Sequence, residues 1–254
     1  MPGRLLDGRV ALITGGASGQ GRAASVLFAE HGARIVVADI NDDGAGETVA
    51  MVDAAGSGGI ALHADIAHRA DCDAMVDGAI AQFGRLDILY NNAAVQMSGR
   101  LVDTSEEDWD LTMSTNLDAV FWTCRAALPH LRETGNASII STASVLGLIG
   151  SEGYAAYGAA KAGLVALTRQ IATEYGPAVR ANVIAPGSID TPRFRKVAET
   201  MPAEFLTGLQ QTIPLHRLGT AEDVAGIALF LASDLSSYTT GAVIPADGGL
   251  AALR

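Results

Sequence analysis

The chain has 254 residues, 49% of them apolar, enough for one large core, and a formal net charge of −11. No stretch approaches the ~20 apolar residues that cross a bilayer, the opening MPGRLLDGRV lacks a signal-peptide hydrophobic region, and scattered basic residues under a negative balance argue against a nucleic-acid partner. The expectation is a cytoplasmic protein forming one domain over 1–254, with no membrane partner.

Short β-branched runs alternate with longer helix-periodic segments, the pattern of a parallel sheet covered on both faces. The first run, RVALIT (9–14), leads into Thr14-Gly15-Gly16-Ala17-Ser18-Gly19-Gln20-Gly21 and a helical segment near 19–32. Glycines let the backbone turn tightly and approach a pyrophosphate, and free N–H groups at a helix start carry partial positive charge toward the anion. Placed after an apolar strand within a βαβ unit, this loop points to dinucleotide binding more than to a structural turn. The second strand, RIVVAD (34–39), ends in Asp39, 18 residues after Gly21. A carboxylate there accepts hydrogen bonds from ribose hydroxyls and repels a 2′-phosphate. Ile40 and Ser18 offer no cation to NADP, so NAD is the expected cofactor.

A helix over 42–54 and the strand GIALHA (59–64) follow, then a helix over 71–83 with Cys72, Val76, Ala79, Ile80 and Phe83 on one face. The strands LDILYN (86–91), ASIIST (137–142), RANVIA (180–185) and AVIPAD (242–247) are separated by helical segments at 106–133, 155–175 and 221–232. Seven strands with right-handed crossovers predict a doubly wound parallel sheet, a Rossmann fold. Residues 191–218 break the rhythm with prolines at 192, 202 and 214 and no strand; they are expected to form a substrate lid, a helical pair packed on the edge, or both.

Cys72 and Cys124 lie in helix-like apolar patterns, as buried free thiols do, and neither has a His or basic cluster beside it in sequence. His31, His63, His68, His130 and His216 have no metal-ligand spacing, with His63 and His68 read as surface residues, so no metal is expected. The reacting group lies elsewhere. Tyr157-Gly-Ala-Ala-Lys161 sits in a helical segment, which puts both side chains on one face. A free phenol has a pKa of about 10 and a neighbouring ammonium favours its phenolate, so Lys161 is expected to tune Tyr157.

The TGxxxGxG spacing of Gly15, Gly19 and Gly21, with YxxxK, resembles the short-chain dehydrogenase/reductase family over nearly the whole chain. The resemblance implies a catalytic set of Asn116 (in STNLDAVF), Ser144 (in STASVLG, 13 residues before Tyr157), Tyr157 and Lys161. Tyr157 would exchange the substrate hydroxyl proton while hydride moves to or from nicotinamide. Ser144 would bond the substrate oxygen, Lys161 would hold the nicotinamide ribose, and Asn116 would support a water linking Lys161 to solvent. Ser138 and Ser141, out of register with Tyr157, are expected to be structural.

By the same resemblance Asp65 and Ile66 contact adenine, and Asn91-Asn92-Ala93-Ala94 matches the family's NNAG, placing Asn92 and Ala93 at the cofactor. Gln20 stands where the family often has Ile; its backbone N–H can still serve phosphate. In Pro186-Gly187-Ser188-Ile189-Asp190-Thr191, the backbone near Ile189 and the Thr191 side chain would meet the nicotinamide carboxamide. The substrate pocket would draw on Gln96, Leu146, Glu152, Tyr154, Ser188 and the lid, where Arg193, Arg195 and Lys196 either attract an anion or form a solvated basic face.

The expected activity is NAD(H)-dependent hydride transfer between nicotinamide and a secondary alcohol or ketone, such as a small alcohol or polyol. Reduction of a 3-oxoacyl group on an acyl carrier protein is the alternative; Arg125, Arg132 and Arg169, beside Glu133 and Glu174, offer an acidic carrier only a thin basic patch. A non-catalytic NAD-binding sensor usually lacks one of the four reacting groups, and a nucleotide-sugar epimerase needs a larger carboxyl-terminal domain. A homotetramer is implied through the helices near 106–133 and 155–175 and the tail YTTGAVIPADGGLAALR.

Overall fold

Continuous burial along a strand signals helices on both faces of its sheet, and every residue of ASIIST and of VRANVIAP is buried. A computed structural model describes residues 3–253; Met1, Pro2 and Arg254, the ends of the expected 1–254 domain, lie outside the described residues. The elements run β1 (Val10–Thr14), α1 (Gly19–Glu30), β2 (Arg34–Asp39), α2 (Asp42–Ala54), β3 (Gly59–His63), α3 (Arg69–Phe83), β4 (Ile88–Asn91), α4 (Glu106–Met113) and α5 (Ala119–Thr134). They continue with β5 (Ala137–Thr142), α6 (Ala155–Tyr175), β6 (Val179–Pro186), α7 (Pro192–Ala198), α8 (Phe205–Thr212), α9 (Ala221–Ala232) and β7 (Val243–Ala246).

The seven strands pair in parallel in the order β3-β2-β1-β4-β5-β6-β7. Alternate β1 residues feed two cores. Val10 and Leu12 pack with Cys72, Met75, Leu131 and Leu164 of α3, α5 and α6. Ala11 and Ile13 pack with Phe28, Val52, Val224 and Leu231 of α1, α2 and α9. The strand order reverses between β1 and β4, and in open α/β sheets the crevice outside the carboxyl ends at such a point receives the ligand. The doubly wound Rossmann architecture expected from the sequence is therefore present.

The helix expected over 106–133 is not continuous. A π-helical turn at Ser114–Asp118 separates α4 from α5. Asn116 accounts for it: its Nδ2 donates to Thr112 O four residues back (2.9 Å) and to Val95 O outside the helix (2.9 Å), so a side chain competes for the backbone ladder. Over 191–218 there are two short helices, α7 and α8, and no strand. Thr191 starts α7 by accepting from Phe194 N (3.2 Å), with Pro192 at the first helical position.

Cys72 and Cys124 are buried and free, and burial pushes the Cys124 thiol up to about 12, which removes thiolate chemistry near neutral pH. His63 and His68 are exposed and pair with Asp42 (2.9 Å) and Asp65 (3.2 Å). Ser138 Oγ donates to Leu231 O (2.8 Å), a structural role, while Ser141 Oγ is buried without a partner.

Candidate active site

β1 delivers the chain into a loop whose side chains are absent where space is absent. Gly15 has φ +66°, and a Cβ there would lie 2.8 Å from Ala93 Cα; a Cβ on Gly21 would lie 2.1 Å from Gly15 O. The neighbouring segment is tied down from both sides. Thr14 Oγ1 accepts from Asn92 N (3.0 Å) and Ala93 N (3.1 Å), and Asn92 Nδ2 donates to Thr14 O (3.1 Å) and Gly15 O (3.2 Å). Ser18 makes no side-chain cap on α1, which leaves the first-turn N–H groups beside Gly19, Gln20 and Gly21 to a ligand. A bare glycine cradle at an uncapped helix start fits a dinucleotide pyrophosphate. Gln20 adds a buried Oε1 without a partner.

At the end of β2, Asp39 Oδ2 accepts from Ala17 N (2.9 Å) and Oδ1 from Asn41 N (3.0 Å). The cap of α2 is Asn41, so Asp39 faces the glycine loop. Ile40 beside it is 62% exposed, an apolar surface in the open. Ile66 is buried, and Asp65 Oδ1 accepts from Ala67 N (3.0 Å) at the end of β3. Across the crevice Pro186 closes β6, Gly187 N donates to Ala246 O (3.0 Å), and buried Ile189 bridges to Gly219.

Ser144 follows β5, and its Oγ accepts from Leu146 N (3.2 Å), starting a 3-10 turn at Val145–Gly147. That turn lies directly on α6: a Cβ on Gly147 would come 2.8 Å from Lys161 C. Close approach brings Ser144 near enough to Tyr157 to lower its phenol. Lys161 is fully buried; its Nζ donates to Thr142 O (2.8 Å) and lies 5.6 Å from the Tyr157 ring centroid. The π turn carrying Asn116 packs on the same helix through Leu117 against Gly163. Asn116 Oδ1 accepts nothing from the protein.

Burial dominates the electrostatics of the cofactor-free site. Burial raises the Tyr157 phenol, while Arg193 and Ser144 beside its hydroxyl pull the other way. Burial also draws Lys161 down to about 7, with Arg193 repelling it further. Desolvation disfavours the charged form of the lysine and so weakens the ammonium that faces the phenol. In the cofactor-free chain the charge that lowers Tyr157 is on Arg193.

The expected substrate residues divide. Gln96 Oε1 accepts from Arg193 Nη2 (3.4 Å), so Gln96 faces the Tyr157 region. Leu146 is half-buried on the Ser144 turn, and Tyr154 opens α6. Glu152 is exposed and committed to Arg100. Ser188 is half-buried, its carbonyl held by Gly219 N (3.0 Å). Thr191 spends its hydroxyl on capping α7. Sequence reasoning quoted Thr14 as the first residue of the TGxxxGxG pattern without giving it a role, and missed Thr142; their oxygens fix the 92–93 segment and Lys161.

A family model described as enoyl-(acyl carrier protein) reductase matches residues 15–251. The chain belongs to the short-chain dehydrogenase/reductase family. It is 38% identical to a 3-oxoacyl-[acyl-carrier-protein] reductase of Thermotoga maritima, covering 96% of this chain and 98% of that one. It is also 38% identical to a 2,5-dichloro-2,5-cyclohexadiene-1,4-diol dehydrogenase of Sphingobium indicum, covering 96% of each. The crystal structure of levodione reductase superposes with a TM-score of 0.94 at 35% identity, covering 98% of this chain and all of that one. As a family member the protein is an oxidoreductase acting on CH–OH groups with a nicotinamide cofactor and a small-molecule substrate. Among the described residues no helix is long and apolar enough to cross a membrane.

Proposed function

We propose that the protein is an NAD(H)-dependent dehydrogenase that moves a hydride between nicotinamide and a secondary alcohol or ketone, with small alcohols, polyols and related carbonyl compounds as its substrates. The observation that carries this reading is the convergence of Ser144, Tyr157 and Lys161 at the carboxyl ends of the strands, beside a glycine cradle faced by Asp39. Asp39 supports NAD, because its carboxylate repels a 2′-phosphate. When bound, the nicotinamide supplies the hydride acceptor in oxidation and the donor in reduction. An alcohol and NAD⁺ give a carbonyl compound, NADH and one proton.

The chain's own residues manage the oxygen and its proton. Tyr157 Oη takes the hydroxyl proton in oxidation and returns it in reduction. Ser144 Oγ donates to the substrate oxygen and steadies its developing charge. Lys161, held by Thr142 O, holds the nicotinamide ribose, and Asn116 Oδ1 accepts from a water that passes protons toward solvent. Residues 191–218 form the substrate lid. Two buried free thiols support a reducing, cytoplasmic location.

The Thermotoga relative favours a second reading, reduction of a 3-oxoacyl group on an acyl carrier protein. The net charge of −11 counts against docking an acidic carrier. Purified enzyme assayed with NAD and with NADP against alcohols, polyols and their ketones, alongside an acyl carrier substrate, separates the two. NAD-linked turnover of free alcohols is expected; turnover confined to the carrier substrate overturns the first reading. Tyr157→Phe should bind NAD as tightly as the parent yet lose roughly 10²- to 10⁴-fold in kcat. Near-parental kcat in that variant removes Tyr157 from proton transfer.

A further inference from the structure

Three cations lie on α7, and the structure separates them. Arg195 forms a two-pronged ion pair with Asp190 (2.7 and 2.9 Å), and Lys196 is exposed. Arg193 instead reaches across the crevice. Its guanidinium donates to Ala94 O (3.3 Å) and Gln96 Oε1 (3.4 Å), and its charge lowers the Tyr157 phenol. Both bonds are at the long end of the hydrogen-bond range and both acceptors are neutral. Among the described residues no carboxylate pairs with it: Asp190 serves Arg195, and Glu152 serves Arg100.

An exposed guanidinium on the active-site side of an acidic protein, with loosely held donors and no acid opposite, is suited to receive an oxyanion. Its position limits where that anion can be. The substrate oxygen must stand about 2.6–3.2 Å from Tyr157 Oη to exchange a proton. A carboxylate gripped by the guanidinium fork stands about 2.7–2.9 Å from its nitrogens. Arg193, bonded to Ala94 O and Gln96 Oε1, is near enough to that hydroxyl to lower it, so a short hydroxy acid with its two oxygen groups on neighbouring carbons, or one carbon further apart, is the simplest ligand that reaches both.

We propose that Arg193 selects substrates carrying a carboxylate one or two carbons from the reacting carbon, making 2- or 3-hydroxy acids and their oxo acids the favoured class. This rests on the hydride-transfer reading above and narrows its substrate. Arg193 leaves Ala94 O and Gln96 for the carboxylate when substrate enters, and Gln96 then lines the same pocket.

The test compares each acid with its own methyl ester, which keeps the shape and removes the charge: lactate and methyl lactate, 3-hydroxybutyrate and methyl 3-hydroxybutyrate. The parent enzyme should prefer at least one acid over its ester by kcat/KM. Arg193→Gln should erase roughly 10- to 100-fold of that preference, with Arg193→Lys restoring part of it. Calorimetry of pyruvate and acetoacetate, each titrated into protein saturated with NAD, should show binding of at least one by the parent and a matching loss in Arg193→Gln. An acid-to-ester ratio unchanged by the substitution overturns the proposal. So does a weakened NAD affinity with an unchanged ratio, which would assign Arg193 to the cofactor's pyrophosphate. If no alcohol of either kind is turned over although NAD binds, the hydride-transfer reading fails, and oxo-acid binding still decides the role of Arg193.

Discussion

An ammonium enclosed on all sides loses its hydration, and one carbonyl does not replace it. Lys161 is in this position: fully buried, bonded to Thr142 O and drawn down to about 7. Unfolded, a lysine titrates near 10.4. Between those two values the unfolded chain holds one proton more than the folded chain, so folding stability from this site rises with pH and is lost as pH falls toward 7. Urea unfolding of the cofactor-free protein, followed from pH 7 to 9 beside Lys161→Met, should give the parent the steeper rise. The buried cysteines slope the opposite way, since their thiols are raised, but they are common to both proteins and cancel in the comparison. Parallel slopes would mean that Lys161 stays charged in the fold.

At the scale of elements, the site depends on how closely the Val145–Gly147 turn lies on α6. A methyl at 147 would meet Lys161 C at 2.8 Å, so Gly147→Ala must push the turn outward and carry Ser144 with it. Overpacking of this kind costs about 1–3 kcal/mol, and a shift of about 1 Å at a catalytic group can cost ~10²-fold in rate. The variant should fold cooperatively, bind NAD like the parent and turn over roughly 10- to 100-fold more slowly; unaltered kcat would mean that the turn absorbs the methyl elsewhere. The seven strands were legible because each is a short, largely apolar run, buried throughout in β1, β4, β5 and β6 and only partly at the edges β3 and β7, and the glycine loop and YxxxK because their spacing is local. The break in 106–133 was not, because Asn116 bonds Val95 O from a distant segment. Nor could the sequence tell Arg193 from Arg195: the difference is that Asp190, five residues before Arg195, occupies one fork and leaves the other facing Tyr157.

For the whole molecule, a charge of −11 on every chain opposes self-association, so any assembly must be held by apolar contact. The surface supplies it. Trp109 and Leu111 on α4, Phe121 on α5, and Leu101 and Val102 just before α4 are all exposed in the single chain. Phe121 stands edge-on to Trp122 with ring centroids 4.8 Å apart, a stiff aromatic pair of which one member faces outward. These side chains lie on or just before the 106–133 helices expected to pair in a tetramer, and burying them there would remove apolar surface from water. Sedimentation of the parent should therefore give four chains per particle. If the face is buried in the assembly, Phe121→Glu puts a carboxylate into it on every chain and should shift the particle to dimers or monomers while the separated chains keep their helical content. A parent that sediments as a monomer would instead make the outward ring of Phe121 part of a solvent face, and the substitution would then leave the sedimentation unchanged.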